Sequence, residues 1–242
     1  MNSVVSLSNI CFSYNVEEDI LKDISLDIKQ GEVVSIIGNS GCGKSTLMNL
    51  IAGLLTPSQG IVQRTTDSIS YLMQKPTLLS HLNVSENSLL AYQLLNNKTD
   101  DDVLDAACNL LNKFKLSAKD FLKFPNELSG GMKQRVALVQ SLITEVDLYL
   151  YDEPFSAIDI STLEIIKEYI WRYFNNSNKT LVFITHNIDQ ALQLSNKVVV
   201  MRNDGSLKIM KFNTEFSETP PMYRNVTDIY NKYFISIIES MR

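Results

Sequence analysis

The chain has 242 residues, a formal net charge of −5, 45% hydrophobic and 20% charged residues. This is the composition of a globular protein with a sizeable core, organised as one large or two small domains. The acid excess argues against a nucleic-acid-binding surface, which is usually basic, and no stretch approaches the ~18 apolar residues of a membrane span. Cys11, Cys42 and Cys108 are scattered and form no C-x-x-C pair, so neither a disulfide framework nor a zinc site is indicated. The segment Met1–Ile10 has no basic start and no long apolar run. The expected compartment is therefore the cytosol, with any membrane role supplied by a partner.

In chain order, Val4 to Tyr14 alternates and predicts a strand, and Ile24 to Ile28 predicts a second, closed by a Gln30-Gly31 turn. Glu32-Val33-Val34-Ser35-Ile36-Ile37 is apolar and β-branched, the pattern of a buried strand. It runs into Gly38-Asn39-Ser40-Gly41-Cys42-Gly43-Lys44-Ser45, followed by Thr46. This is the phosphate-loop pattern G-x-x-x-x-G-K-[ST], set between a strand and a helix ending at Gly53. The glycines let backbone amides approach a triphosphate, and Lys44 supplies charge to its β- and γ-phosphates. The Ser45 hydroxyl suits Mg²⁺, and Thr46 lies toward the α-phosphate. Cys42 reads as a small tolerated residue more readily than as a redox switch.

Pro57 to Gly60 predicts a turn and Ser68 to Met73 a strand. Residues 84–143 have mostly helical periodicity. One helix starts at Asp101-Asp102, with Val103, Leu104, Ala107, Leu110, Leu111 and Phe114 as its expected apolar face. Leu148 to Tyr151 and Thr180 to Ile184 predict short apolar strands flanking a helix over 161–174. Val198 to Met201 and Leu207 to Phe212 predict a closing hairpin around Asp204-Gly205. The order implies an α/β core with a parallel sheet and a helical subdomain.

Three further features carry chemistry. The strand at 148–151 ends in Asp152 and Glu153. Beside a phosphate loop, Asp152 fits the Mg²⁺ shell and Glu153 fits a general base for the attacking water. His186 also follows a strand end, where ligands of parallel sheets gather, and could donate to a γ-phosphate. Ser129-Gly130-Gly131 opens a helix with a serine cap and exposed amides, a second anion site. Two such sites in one chain make sense if the second serves the nucleotide of another subunit.

Taken together and in order, these residues resemble the ATP-binding cassette (ABC) family over roughly residues 3–212. The resemblance adds Gln74 as the Q-loop glutamine, Tyr14 as the adenine-stacking aromatic, Ser156-Ala157-Ile158-Asp159 as the D-loop and His186 as the H-loop histidine. It implies a P-loop ABC core with a parallel sheet, an N-terminal antiparallel β-subdomain and a helical subdomain at about 84–143. It also implies ATP and Mg²⁺ as cofactors, with Ser45, Gln74 and Asp152 at the metal and Glu153, His186 and Gln74 at the reaction. Two cassettes would sandwich ATP between Lys44 of one and Ser129, Gly130 and Gly131 of the other. Integral membrane permease subunits, met near Lys75 to Asn87, would complete the assembly on the inner face of the cell membrane. Ile158, where leucine is commoner, and Tyr151 in an otherwise aliphatic strand depart from the family pattern without removing a polar group.

The signature Leu-Ser-Gly-Gly-Met-Lys-Gln-Arg and the stretch Gln74 to Asn87 are similar to the nitrate/sulfonate/taurine importer group. That implies import of a small solute of this or a thiamine-precursor kind, delivered by a solute-binding protein. An exporter or lipid-moving ATPase shares the catalytic motifs and stays open. A non-transport cassette fits less well: the interval from Gly43 to Leu128 leaves no room for long coiled coils, and only one cassette is present. Residues 213–242 form a separate extension. Val226, Ile229, Tyr230, Tyr233, Phe234, Ile237 and Ile238 recur at helical spacing there, as expected for an amphipathic helix that packs on its own core or binds a partner.

Overall fold

A computed structural model of the chain describes residues 2–15, 19–98, 100–211, 237–239 and 241. The N-terminal segment forms β1 (Ser3–Phe12) and β2 (Leu21–Lys29), paired antiparallel. A third strand, β4 (Gln59–Arg64), pairs antiparallel with the other side of β1, so this sheet runs β2-β1-β4. The expected turn at Pro57 to Gly60 is corrected here, because Gln59 and Gly60 already lie within β4. Most of β4 is solvent-facing, so its sequence lacks the apolar alternation that marks a strand. Gly60 has φ 87°, and a Cβ there would stand 2.4 Å from the carbonyl oxygens of Ser8 and Asn9. It permits a close backbone crossing rather than a loop reversal.

The second sheet runs β5-β6-β7-β3-β8-β9. Its strands are β3 (Val33–Gly38), β5 (Ile69–Leu72), β6 (Leu148–Asp152), β7 (Thr180–Ile184), β8 (Lys197–Met201) and β9 (Leu207–Lys211). All neighbours are parallel except β8 and β9, which form the expected closing hairpin. Strands β3, β6 and β7 are buried along their whole length, which explains their continuous apolar runs. Register places Ile36 beside Ile184 and Asp152 beside Ile184 in turn, so the C-terminal ends of β3, β7 and β6 line up.

Helix α1 (Lys44–Ala52) leaves the phosphate loop and stops at Gly53, which is left-handed at φ 76°. Helices α2 (Val84–Asn96), α3 (Asp101–Lys113) and α4 (Gly130–Ile143) pack on one another, and α4 packs on β5. In α3, Ala107, Leu110 and Leu111 are buried, but Leu104 is exposed, so the apolar face is narrower than its periodicity predicts. Helix α5 (Ile160–Asn176) connects β6 to β7. A short helix, α6 (Ile188–Leu194), follows β7 and carries no clear periodicity over its seven residues. Of the C-terminal extension, Ile237 is buried against Ile37, Leu192, Val198 and Val200, while Ile238 is exposed. The rest of its proposed apolar face, Val226 to Phe234, lies outside the described residues.

Candidate functional site

Loops that leave the aligned ends of β3, β5, β6 and β7, together with Tyr14 and Ile20 between β1 and β2, enclose a cavity of about 510 Å³. Its wall includes Tyr14, Lys44, Gln74, the adjacent Asp152 and Glu153, and His186, drawn from five separate stretches of sequence. The topology makes this convergence: parallel strands must present their C-terminal ends on one side, and the switch in strand order opens a crevice there.

The phosphate loop begins where β3 ends. Gly43, at φ 97°, caps α1 in a left-handed conformation, and a Cβ there would meet Ile20 and Leu21 side chains at 2.9 Å. Only glycine holds that turn without strain. The Lys44 ammonium folds back to donate to the carbonyls of Gly38, at 3.0 Å, and Asn39, at 2.7 Å. An ammonium so held lies in the concavity of the loop, where phosphate oxygens can replace the carbonyls. Ser40, Gly41, Ser45 and Thr46 also face the cavity. Two loop side chains do not line it. Cys42 is buried in the core, which pushes its thiol pKa up, and so it carries little of the thiolate that oxidation requires. Asn39 donates instead to Asn203 Oδ1 and to the carbonyl of Met241.

The acids stand opposite. Asp152 is nearly buried and accepts from the Ser45 hydroxyl at 2.8 Å. Glu153 has φ 49°, a left-handed conformation that turns the chain sharply after β6. Its carboxylate meets His186 Nδ1 at 2.9 Å, and its amide donates to Ile184 on the neighbouring strand. The histidine is mostly exposed, at 71%, whereas Glu153 is 11% exposed. The pair thus has a sheltered carboxylate facing the cavity and an imidazole able to move. Tyr14 sits at the opposite rim, its ring edge-on to Phe12 at 4.9 Å and its hydroxyl 3.3 Å from Thr46 Oγ1.

Ser129, Gly130 and Gly131 are not in this cavity. Ser129 caps α4 by accepting from Met132 N, and Ser129 and Gly130 are exposed to solvent. Arg135 anchors this helix start by donating to the carbonyls of Gly131, Phe114 and Lys115. Gly131 lies against the loop after β6: a Cβ on it would stand 2.6 Å from the Ala157 carbonyl. The helix start expected to meet a second anion is therefore capped, and among the described residues no phosphate cradle faces it.

A family model described as ABC transporter matches residues 21–156. The chain belongs to the ABC transporter family. Among its relatives, the Bacillus subtilis (strain 168) protein named uncharacterized ABC transporter ATP-binding protein YtlC is 36% identical over 199 residues, 79% of this chain and 76% of that protein. A taurine import ATP-binding protein, TauB, from Jannaschia sp. (strain CCS1) is also 36% identical, over 75% of this chain and 69% of TauB. Among solved structures, the dimeric ATP-binding cassette MJ0796 in a post-hydrolysis state with ADP and Pi superposes with a TM-score of 0.77 at 30% identity. That match covers 87% of this chain and 99% of MJ0796. The activity of this family member is ATP hydrolysis coupled to transport, and its fold is that of the ABC ATPases.

Some residues that build the site have no motif of their own. Asn87 is fully buried in the first turn of α2. Its side chain accepts from Leu79 N and donates to the carbonyls of Leu79, Leu82 and Asn83, bracing the loop before the helix. A buried asparagine that caps loop carbonyls can be recognised in sequence only once the helix start is known. Tyr71, on β5, donates to Asn49 on α1, a contact with no sequence signal at all.

Proposed function

We propose that this chain is the ATPase subunit of an importer for a small solute, working as a head-to-tail homodimer under membrane permease subunits. The observation that carries the proposal is the split site. Lys44, Asp152, Glu153 and His186 share one cavity, while the helix start at Ser129, Gly130 and Gly131 lies outside it, with Ser129 and Gly130 exposed to solvent. A second copy can bring its Ser129 to the γ-phosphate held by Lys44, completing both sites at once. Nucleotide binding thereby becomes dimer closure, and hydrolysis becomes release.

Within the cavity, the loop amides and Lys44 would hold the phosphates and Tyr14 the adenine. The Ser45 hydroxyl and the Asp152 carboxylate are hard oxygen donors 2.8 Å apart, with Gln74 on the same wall. Among the described residues there is no cluster of three or more His, Cys, Asp or Glu that could cage a metal. This donor set fits Mg²⁺, which takes one or two protein oxygens and fills its shell with phosphate and water. The ion would neutralise charge building on the phosphates. Glu153 would take the proton from the attacking water, and His186 would hold the γ-phosphate and orient Glu153.

No described helix is long and apolar enough to cross a membrane, and in this reading separate permease subunits supply the pathway. A groove of about 350 Å³ beside β5, α2 and α4 offers it a seat, with Met73, Leu94 and Leu95 exposed at its margin. The free edge of β5 and the loop braced by Asn87 connect that groove to Gln74. The place of work would be the cytoplasmic face of the cell membrane. Relatives named for taurine and nitrate import, each 36% identical, support a small anionic or zwitterionic solute delivered by a binding protein. Affinity purification from the native membrane is the test. Co-purification of a multispanning permease, with uptake that requires a solute-binding protein, supports import. A permease complex that expels its substrate without a binding protein overturns it.

A further inference from the structure

The phenol of Tyr71 is placed where two functional segments meet. Tyr71 lies on β5, the edge strand that leads three residues later to Gln74, and it pairs in register with Leu150, two residues before Asp152. Its hydroxyl donates to Asn49 Oδ1 at 2.9 Å. Asn49 lies on α1 four residues after Ser45, so both stand on one face of the helix, a turn apart. Ser45 in turn donates to Asp152. Three elements are thus closed into a ring: β5 to α1 through Tyr71 and Asn49, α1 to β6 through Ser45 and Asp152, and β6 back to β5 through the strand ladder. Burial, and then the charge of Asp152, push the Tyr71 phenol up to about 12.

We propose that Tyr71 is a positioning residue that, through Asn49, fixes α1 one turn beyond Ser45 so that the Ser45 hydroxyl and the Asp152 carboxylate stay in register for Mg²⁺. The proposal rests on the assignment of Ser45 and Asp152 as metal-binding oxygens. Tyr71 never touches the nucleotide; it sets the spacing between the strand carrying Gln74 and the helix carrying Ser45. Its removal should therefore weaken binding of the magnesium complex of ATP and leave metal-free ATP unaffected, because Lys44 and the loop amides bind phosphate without it.

The test uses full-length Tyr71→Phe, Asn49→Ala, the double variant and Ser45→Ala. Dissociation constants for a fluorescent ATP analogue are measured with Mg²⁺ and again with EDTA, after thermal unfolding has confirmed that each variant folds. Tyr71→Phe and Asn49→Ala should each weaken binding in Mg²⁺ by about 3- to 10-fold, the range of one hydrogen bond, with no change in EDTA. The double variant should be no weaker than either single one, because both remove the same bond. Unchanged binding in Mg²⁺, equal losses in Mg²⁺ and EDTA, or additive losses would each overturn the link. Ser45→Ala separates the two levels. If it abolishes the Mg²⁺ effect while Tyr71→Phe does nothing, the link alone fails. If it keeps the Mg²⁺ effect, the metal assignment beneath the link fails.

Discussion

Gly131→Ala tests how the signature helix is seated. The backbone at Gly131 is not left-handed, so alanine is conformationally acceptable and, as a better helix former, would add up to about 1 kcal/mol in a helix interior. The first turn of α4 gains less. Against this stands a Cβ that would lie 2.6 Å from the Ala157 carbonyl, where ordinary contact begins at 3.4 Å. The neighbour is backbone, so either α4 or the 156–159 loop must withdraw by about 0.8 Å, a strain of about 1–3 kcal/mol. The net expectation is a loss of about 1–2 kcal/mol, or a fall in Tm of about 2–8 °C for a domain of this size. Gly130→Ala is the internal control. Its Cβ would stand 4.0 Å from the Ala157 side chain, so its Tm should hold or rise. Thermal unfolding of the nucleotide-free protein reads both, without depending on any effect at a phosphate. Equal Tm values for the two variants would refute the account of Gly131. ATPase activity should fall for Gly131→Ala as well, since a displacement approaching 1 Å can reduce turnover by about 100-fold.

Glu153→Gln should retain ATP binding while kcat falls by about 100- to 10,000-fold, the usual contribution of a general base; size-exclusion chromatography with ATP should then show an accumulated dimer. Lys44→Ala should weaken ATP binding by about 10- to 100-fold, as the loss of a charge-assisted phosphate contact requires, and equilibrium dialysis would detect it. Asp159 is held down to about 2 by hydrogen bonds from Ser161 and Thr162 at the start of α5. A carboxyl depressed in the folded state stabilises above its ordinary value of 3.8 and loses that contribution as pH falls toward 2. The Tm of the unsubstituted chain should therefore drop more steeply between those values than that of Asp159→Asn, which retains a good helix cap. Ile237→Ala should cost about 2–5 kcal/mol by urea unfolding, because the side chain is fully buried.

Much of the site is legible before folding because its chemistry is carried by backbone-dependent motifs. Gly38 to Thr46 announces its function through glycines that only one local structure requires. Asp152 and Glu153 follow one short apolar run and His186 another, and both runs fold as buried strands. The misses have physical causes. Strand β4 is polar and solvent-facing, so Gly60 looks like a turn residue although it serves a strand crossing. Helix α6 is too short to show a period. Asn39 and Cys42 belong to the loop by position, and only the folded chain shows their side chains turned toward Asn203 and the core. Leu104 follows the helical period of α3 but lies beyond the stripe that α4 covers.

The order of residues along the chain determined the family, the ABC ATPase fold and ATP hydrolysis coupled to transport, because each rests on motifs set by local geometry. Tertiary structure alone decided which distant groups touch. Tyr71 reaches Asn49, Asn87 gathers three loop carbonyls, and Gly131 meets Ala157, all through strand order and helix packing. Such contacts join positions whose separation in sequence carries no signal, since only the closed sheet and the helices laid on it set the distance between them.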